Sequence, residues 1–213
     1  MMVNEYLDAI FLAHTKVGSR DTYRELKNHG FWLLGKRHWN LADLRRQRDV
    51  WTGPAPLRNL DRFEALGGWE REWRFFVTVR HPVDHLLSHY CLVPYSGTQP
   101  IQERIPLRWV QNLHLAQPQY FPGPGRQWRF LYQDPAPWRV LKWETLQADL
   151  LGALQDLGLP ATRLYHLNRG KNPDTATANK PPGPARRWWS EEAYQWYRRT
   201  YAEELALTGY DMP

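Results

Sequence analysis

The apolar positions of this chain fall into two kinds of pattern, short continuous runs and longer stretches with helical spacing. The runs "DAIFLAH" (8–14), "FWLLG" (31–35), "WRFFVTVR" (73–80), "WRFLYQ" (128–133) and "WRVLKWE" (138–144) are short and largely apolar, and the third is made of aromatic and β-branched residues bounded by polar ones. Each reads as a buried strand, and 73–80 carries the strongest signal. Between them lie helix-compatible segments. "SRDTYRELKNHG" opens on a serine and stops at Gly30. "NLADLRRQRDVW" has Asn40 placed to cap it, with Leu41, Leu44 and Gln47 on one face. "TGPAPLRNLDRFEALGG" is turn-rich and holds a short helix, and Pro82 stands at the first turn of "PVDHLLSHYCLV", where proline is tolerated. "TLQADLLGALQDLGLP" is amphipathic: Leu146, Leu150, Leu154 and Leu157 share a stripe, and Gly158 with Pro160 ends it. "SEEAYQWYRRTYAEELALTGY" reads as one closing helix capped by Ser190 and stopped by Gly209, with Tyr194, Tyr197, Tyr201 and Leu205 on its buried face. Two stretches break both patterns. Residues 91–127 are rich in Pro, Gly and Gln around one helix at "LRWVQNLHLA", and "HLNRGKNPDTATANKPPGPARR" is a long loop.

Strands that alternate with helices predict an α/β fold in three layers, α/β/α, around a central parallel sheet. No internal repeat or long linker interrupts the 213 residues, so a single domain over 1–213 is expected. A chain of this length buries roughly 70% of its unfolded surface and needs no covalent staples. In such sheets ligands sit beyond the carboxyl ends of the strands, which directs attention to the residues that follow each strand.

Composition narrows the function classes. Cys91 is the one cysteine, which excludes an internal disulfide and any CxxC metal site and fits a reducing compartment. The N-terminal apolar run lacks a basic n-region and is too short to span a bilayer, and no later run approaches the ~20 residues a span requires. A cytoplasmic protein without a membrane anchor is expected. The net charge of +6 is dispersed over "GKRH", "LRRQR", "ARRWW" and "WYRR", too thinly to favour nucleic acid. Twelve tryptophans offer flat faces for core packing or for sugar rings; Trp109, Trp128 and Trp138 are candidates for the latter.

Two junctions carry the chemistry. After the first strand, "HTKVGSR" runs into a helix start, where free backbone N–H groups and the helix dipole favour an anion. There Gly18 allows close approach of the backbone, Ser19 adds a hydroxyl and Lys16 a mobile charge. After the strongest strand, "RHPVDHLLSHY" supplies the Arg80 fork and the Ser88 hydroxyl for a second phosphate. The Walker A pattern is absent. Together, K-x-G-[ST]-R and, some sixty residues on, R-x-P-x-x-x-x-x-S-x-Y resemble the sulfotransferase superfamily that uses 3′-phosphoadenosine 5′-phosphosulfate (PAPS), in particular the Golgi-type carbohydrate and protein sulfotransferases and their bacterial relatives. "WRVLKWETLQADLLGALQDLGLP", "HLNRGKNP" and "YAEELALTGY" extend the resemblance over almost the whole chain. Thr15 stands where the family usually has proline before the loop lysine, and His85 where many members carry a second arginine.

The resemblance implies a phosphosulfate-binding, P-loop-like strand–loop–helix in which Lys16, Val17, Gly18, Ser19 and Arg20 hold the 5′ side and Lys16 bridges leaving phosphate and sulfuryl group. It implies that Arg80 and Ser88 hold the 3′-phosphate, and that Arg169 or Lys171 closes over the nucleotide. The product would be 3′-phosphoadenosine 5′-phosphate (PAP), and the acceptor a hydroxyl, on a glycan or glycoconjugate. Of the eight histidines, His38 follows the second strand, where glycan sulfotransferases place their base; His14, His81 and Glu25 are the reserves. Glu144, at the end of a strand, is placed to orient substrate or to pair with a loop arginine. No metal is expected, because Lys and Arg supply the charge that Mg²⁺ supplies in kinases. The rival readings are a nucleotide-dependent, kinase-like phosphotransferase and a non-catalytic binder of acidic glycan.

Overall fold

A computed structural model describes residues 1–13, 19–35, 41–50, 57, 59–81, 84–85, 104–108, 110–111, 136–160, 164 and 185–210. Through-space contacts group the chain into two units, Met1–Val79 with Phe130–Gly170 and Arg80–Arg129 with Lys171–Pro213.

The first unit is built on a five-stranded sheet in the order β3-β1-β2-β4-β5, with β1 at Met2–Asn4, β2 at Ala9–Ala13, β3 at Trp32–Leu33, β4 at Arg74–Val79 and β5 at Arg139–Lys142. The sheet is mixed. β2, β4 and β5 run parallel, with Phe11 opposite Phe76 and Val77 opposite Val140. β1 is antiparallel to both β2 and β3, so the sheet departs from the central parallel sheet expected from the alternation of elements. The reason is the tight connection between β1 and β2, since only antiparallel neighbours can be joined by a hairpin. Asn4 builds it: the N–H groups of Tyr6 and Leu7 donate to its Oδ1 at 3.0 and 3.2 Å, and its Nδ2 donates to the His29 carbonyl at 2.9 Å. Asp8 takes the left-handed conformation, φ 48°, that Asp tolerates better than most residues.

Parallel neighbours present their side chains in step, so the pleat defines two faces. Phe11, Phe76 and Leu141 share one. It is covered by α1 (Ser19–Asn28), through Tyr23 and Leu26, and by α4 (Leu146–Asp156). Phe11 meets Tyr23 edge-on at 5.6 Å and Phe76 at 5.3 Å. The leucine stripe is as its spacing predicts: Leu146, Leu150, Leu154 and Leu157 all belong to this core. α1 ends at Gly30, φ 81°, with the Phe31 N–H donating back to the Leu26 carbonyl at 3.1 Å. On the opposite face Val3, Ile10, Leu12, Phe75, Val77 and Val79 are buried.

Two further helices belong to this unit. α2 (Leu41–Val50) buries Leu44. Its guanidinium groups Arg45 and Arg48 lie 5.0 and 5.2 Å from the Trp69 ring, a cation–π arrangement. α3 (Leu60–Ala65) buries Leu60 and Phe63. The expected N-cap Asn40 and the expected strand at 128–133 lie outside the described residues.

In the second unit the C-terminal segment forms two helices, α5 (Glu191–Thr200) and α6 (Ala202–Thr208), where one was expected. The break is at Tyr201, φ −117°, whose ring stacks on Tyr197 at 4.1 Å. Ser190 caps α5 by accepting from the Ala193 N–H at 3.2 Å, and the expected face Tyr194, Tyr197, Tyr201 and Leu205 is buried. Ile105 joins this unit by a bridge to Trp189. No helix among the described residues is long and apolar enough to cross a membrane.

Candidate functional site

The first expected anion site begins where β2 ends. β2 closes at Ala13 and α1 opens at Ser19, with Ser19 and Arg20 as its first residues. Lys16, Val17 and Gly18 lie in the intervening stretch, outside the described residues. The position of the helix start follows from packing. Tyr23 sits on Phe11. Two residues further along β2 is a step of roughly 7 Å, and four residues back along α1 is a step of about 6 Å. The N-terminus of α1 therefore lies level with the carboxyl end of β2. A ten-residue helix directs the N–H groups of its first turn and the positive end of its dipole there. The acidic residue of the first turn, Asp21, pairs with Arg24 at 3.6 Å.

On the neighbouring strand β4, level with the end of β2, is Thr78, opposite Ala13 in the β2–β4 register and opposite Leu141 on β5. It lies on the face that Phe76 presents to α1. Its side chain is 1% exposed, and its Oγ1 has no hydrogen-bond partner among the described residues. Sequence reading passed over it because threonine is ordinary in a strand. The available signal was its place, two residues before Arg80 at the carboxyl end of the strongest strand.

The second expected site begins with Arg80, the residue that follows β4, which is buried. His81 and His85 mark the start of the helix expected after it: the His85 N–H donates to the His81 carbonyl at 2.8 Å. The His81 ring meets Tyr210 edge-on at 5.2 Å. His85, where the resemblance places a second arginine, is fully buried. Ser88, His38, His14, Arg169 and Lys171 lie outside the described residues. Glu25 is wholly buried on α1 and meets His29 Nε2 at 3.3 Å.

At the end of β5 the chain enters a 3-10 turn, Trp143–Thr145, in which Glu144 is exposed. Asp149 anchors this junction, accepting from the Lys142 N–H and the Thr145 hydroxyl, each at 2.8 Å. Trp138 is half in solvent, with the Arg74 guanidinium over its ring at 5.6 Å; Trp109 and Trp128 lie outside the described residues. Among the described residues no group of three or more His, Cys, Asp or Glu side chains could hold a metal ion.

The chain matches no protein-family model and no curated protein. Its chemistry is read from its own residues.

Proposed function

We propose that this chain is a sulfotransferase that moves a sulfuryl group from PAPS to an acceptor hydroxyl on a carbohydrate, using an α/β/α frame whose parallel strands β2, β4 and β5 carry a P-loop-like turn. The observation that carries the reading is the pairing of β2 with β4. They are adjacent, parallel and in register from Ala9 with Arg74 to Ala13 with Thr78. The two motif segments, "HTKVGSR" and "RHPVDHLLSHY", start at the carboxyl ends of these two strands. Neighbouring parallel strands that each run into an anion-favouring segment are what a ligand with two phosphorylated ends requires.

In this reading Lys16, Val17, Gly18, Ser19 and Arg20 receive the phosphosulfate end, and the start of α1 adds its N–H groups and dipole. Arg80, with Ser88, receives the 3′-phosphate, and Arg169 or Lys171 covers the nucleotide. His38 takes the proton of the acceptor hydroxyl as its oxygen bonds to sulfur. The bond between sulfur and the bridging oxygen of the 5′-phosphate breaks, and PAP leaves with the electron pair, its charge countered by Lys16. Positioning and charge do the catalytic work.

The test is thermal unfolding with PAP and with adenosine 5′-phosphate, which lacks the 3′-phosphate. At a hundredfold excess over Kd, PAP adds about 2.7 kcal/mol, a rise of roughly 5–10 °C for a chain of this size. Adenosine 5′-phosphate gives a smaller rise, and Arg80→Ala removes the difference. Equal shifts with the two nucleotides, or tighter binding of ATP than of PAP, overturn the reading.

A further inference from the structure

We infer that the Thr78 hydroxyl is a direct hydrogen-bonding partner of a tetrahedral oxyanion held at the N-terminus of α1. Where that anion is the phosphosulfate end of PAPS, the inference rests on the function proposed above. The contact belongs to neither of the motif segments.

Three observations meet at this position. First, α1 begins at the carboxyl end of β2, since Tyr23 packs on Phe11 and the helix start lies one turn further toward that end. Second, Thr78 is on the face that α1 covers, level with Ala13, the last residue of β2. Third, its Oγ1 is buried and has no partner among the described residues, and its cross-strand neighbours, Ala13 and Leu141, offer no side-chain polar atom. Buried hydroxyls are nearly always bonded, because one that has left water without replacing its hydrogen bonds destabilises the fold. Valine has almost the same shape, favours strands and carries no such penalty. A threonine here is accounted for by a state in which the hydroxyl is bonded, and the helix start at the end of the neighbouring strand β2 is where an anion supplies the acceptor. Asp21, the acidic side chain nearest that point on α1, is engaged with Arg24.

The experiment compares wild type, Thr78→Val and Thr78→Ser, by unfolding without ligand and by calorimetric titration with PAP and with pyrophosphate. The expected result is that Thr78→Val melts at or above the wild-type temperature yet binds PAP roughly tenfold to a hundredfold more weakly, the range for a hydrogen bond to a charged group. Thr78→Ser, which keeps the hydroxyl, stays within about threefold of wild type. Should Thr78→Val not fold, Thr78→Ala removes the same group and is read in the same way. If the valine variant melts higher and binds both anions as tightly as wild type, the inference is overturned and the proposed function stands. If wild type ignores PAP but binds pyrophosphate, and the valine variant loses that binding, the inference stands and the proposed function falls. If wild type binds neither anion, both fall.

Discussion

At the scale of single residues, two glycines behave oppositely for reasons set by their neighbours. A Cβ on Gly68 would lie 2.6 Å from the Phe63 ring. That ring cannot retreat: it is fully buried, with Trp69 edge-on at 5.1 Å and Trp73 stacked at 5.8 Å. Gly68→Ala is expected to cost about 1–3 kcal/mol, read as a lower denaturation midpoint. A Cβ on Gly152, inside α4, would meet its nearest neighbour, Arg139 Nη1, at an ordinary 3.5 Å. Arg139 is already held by Asp156 at 2.6 Å. Gly152→Ala therefore gains helix propensity without a clash, and stability rises by about 0.5–1 kcal/mol in the same titration. The spacing of hydrophobic residues does not show that one of these glycines lies against a locked aromatic ring and the other beneath a guanidinium.

Among the elements, the β1–β2 hairpin is the one whose electrostatics can be read out. Its turn residue Glu5 accepts from the Trp32 indole and from Arg62, whose guanidinium also stacks over Trp32 at 4.5 Å. Arg71 bonds the Glu5 carbonyl and the Asp8 carboxylate, which ties the same turn to the segment before β4. Burial pushes the Glu5 carboxyl up, but the hydrogen bonds from Trp32 and Arg62 and the Arg62 charge outweigh it and hold the group below its ordinary 4.5. A carboxylate depressed in the folded state stabilises the fold above its unfolded pKa and loses that contribution as pH falls through its folded one. Wild type is thus expected to lose stability below pH 4.5 more steeply than Glu5→Gln, as measured by urea unfolding from pH 6 down to pH 3. The opposite ordering of the two slopes would show that Glu5 is not stabilised by these partners. The hairpin was not legible in the sequence: "NEYLD" has no Gly or Pro, and β1 is only three residues long. Its turn is made by the Asn4 side chain and a left-handed Asp8, features that a hydrophobic pattern does not encode.

For the molecule as a whole, the core under α1 and α4 links the fold to the candidate site. Leu150 is fully buried in the cluster that includes Phe11, Phe76 and Leu141. Leu150→Ala is expected to cost about 2–5 kcal/mol, a fall of roughly 5–15 °C in the unfolding temperature. Under the proposed function, the rise expected with PAP persists, because Leu150 lies in the body of α4 and the residues proposed to face the ligand follow the strand ends. Loss of the PAP response together with stability would place the anion site in the core and not at the rim. Much of this architecture was legible: strands β2, β4 and β5, helix α1 with its stop at Gly30, and the α4 stripe follow directly from apolar spacing. The antiparallel β1 and the break at Tyr201 were not, because pairing direction and ring stacking involve residues distant in sequence or without a local signal. Of the candidate site, the motif segments were legible as strings of residue types, while Thr78 was not, since an unbonded hydroxyl can be recognised only once its surroundings are known.

The amino-acid sequence by itself determined where the apolar faces lie, and so which segments become strands and helices and which polar residues follow them; period and turn chemistry are local properties of the chain. Tertiary structure alone decided that β4 lies beside β2 and parallel to it. It also decided that α1 begins at the carboxyl end of β2 and that Thr78, between apolar neighbours, is buried with no partner for its hydroxyl among the described residues. Those outcomes depend on which faces bury one another, a choice made by packing across the whole sheet and not by any single stretch.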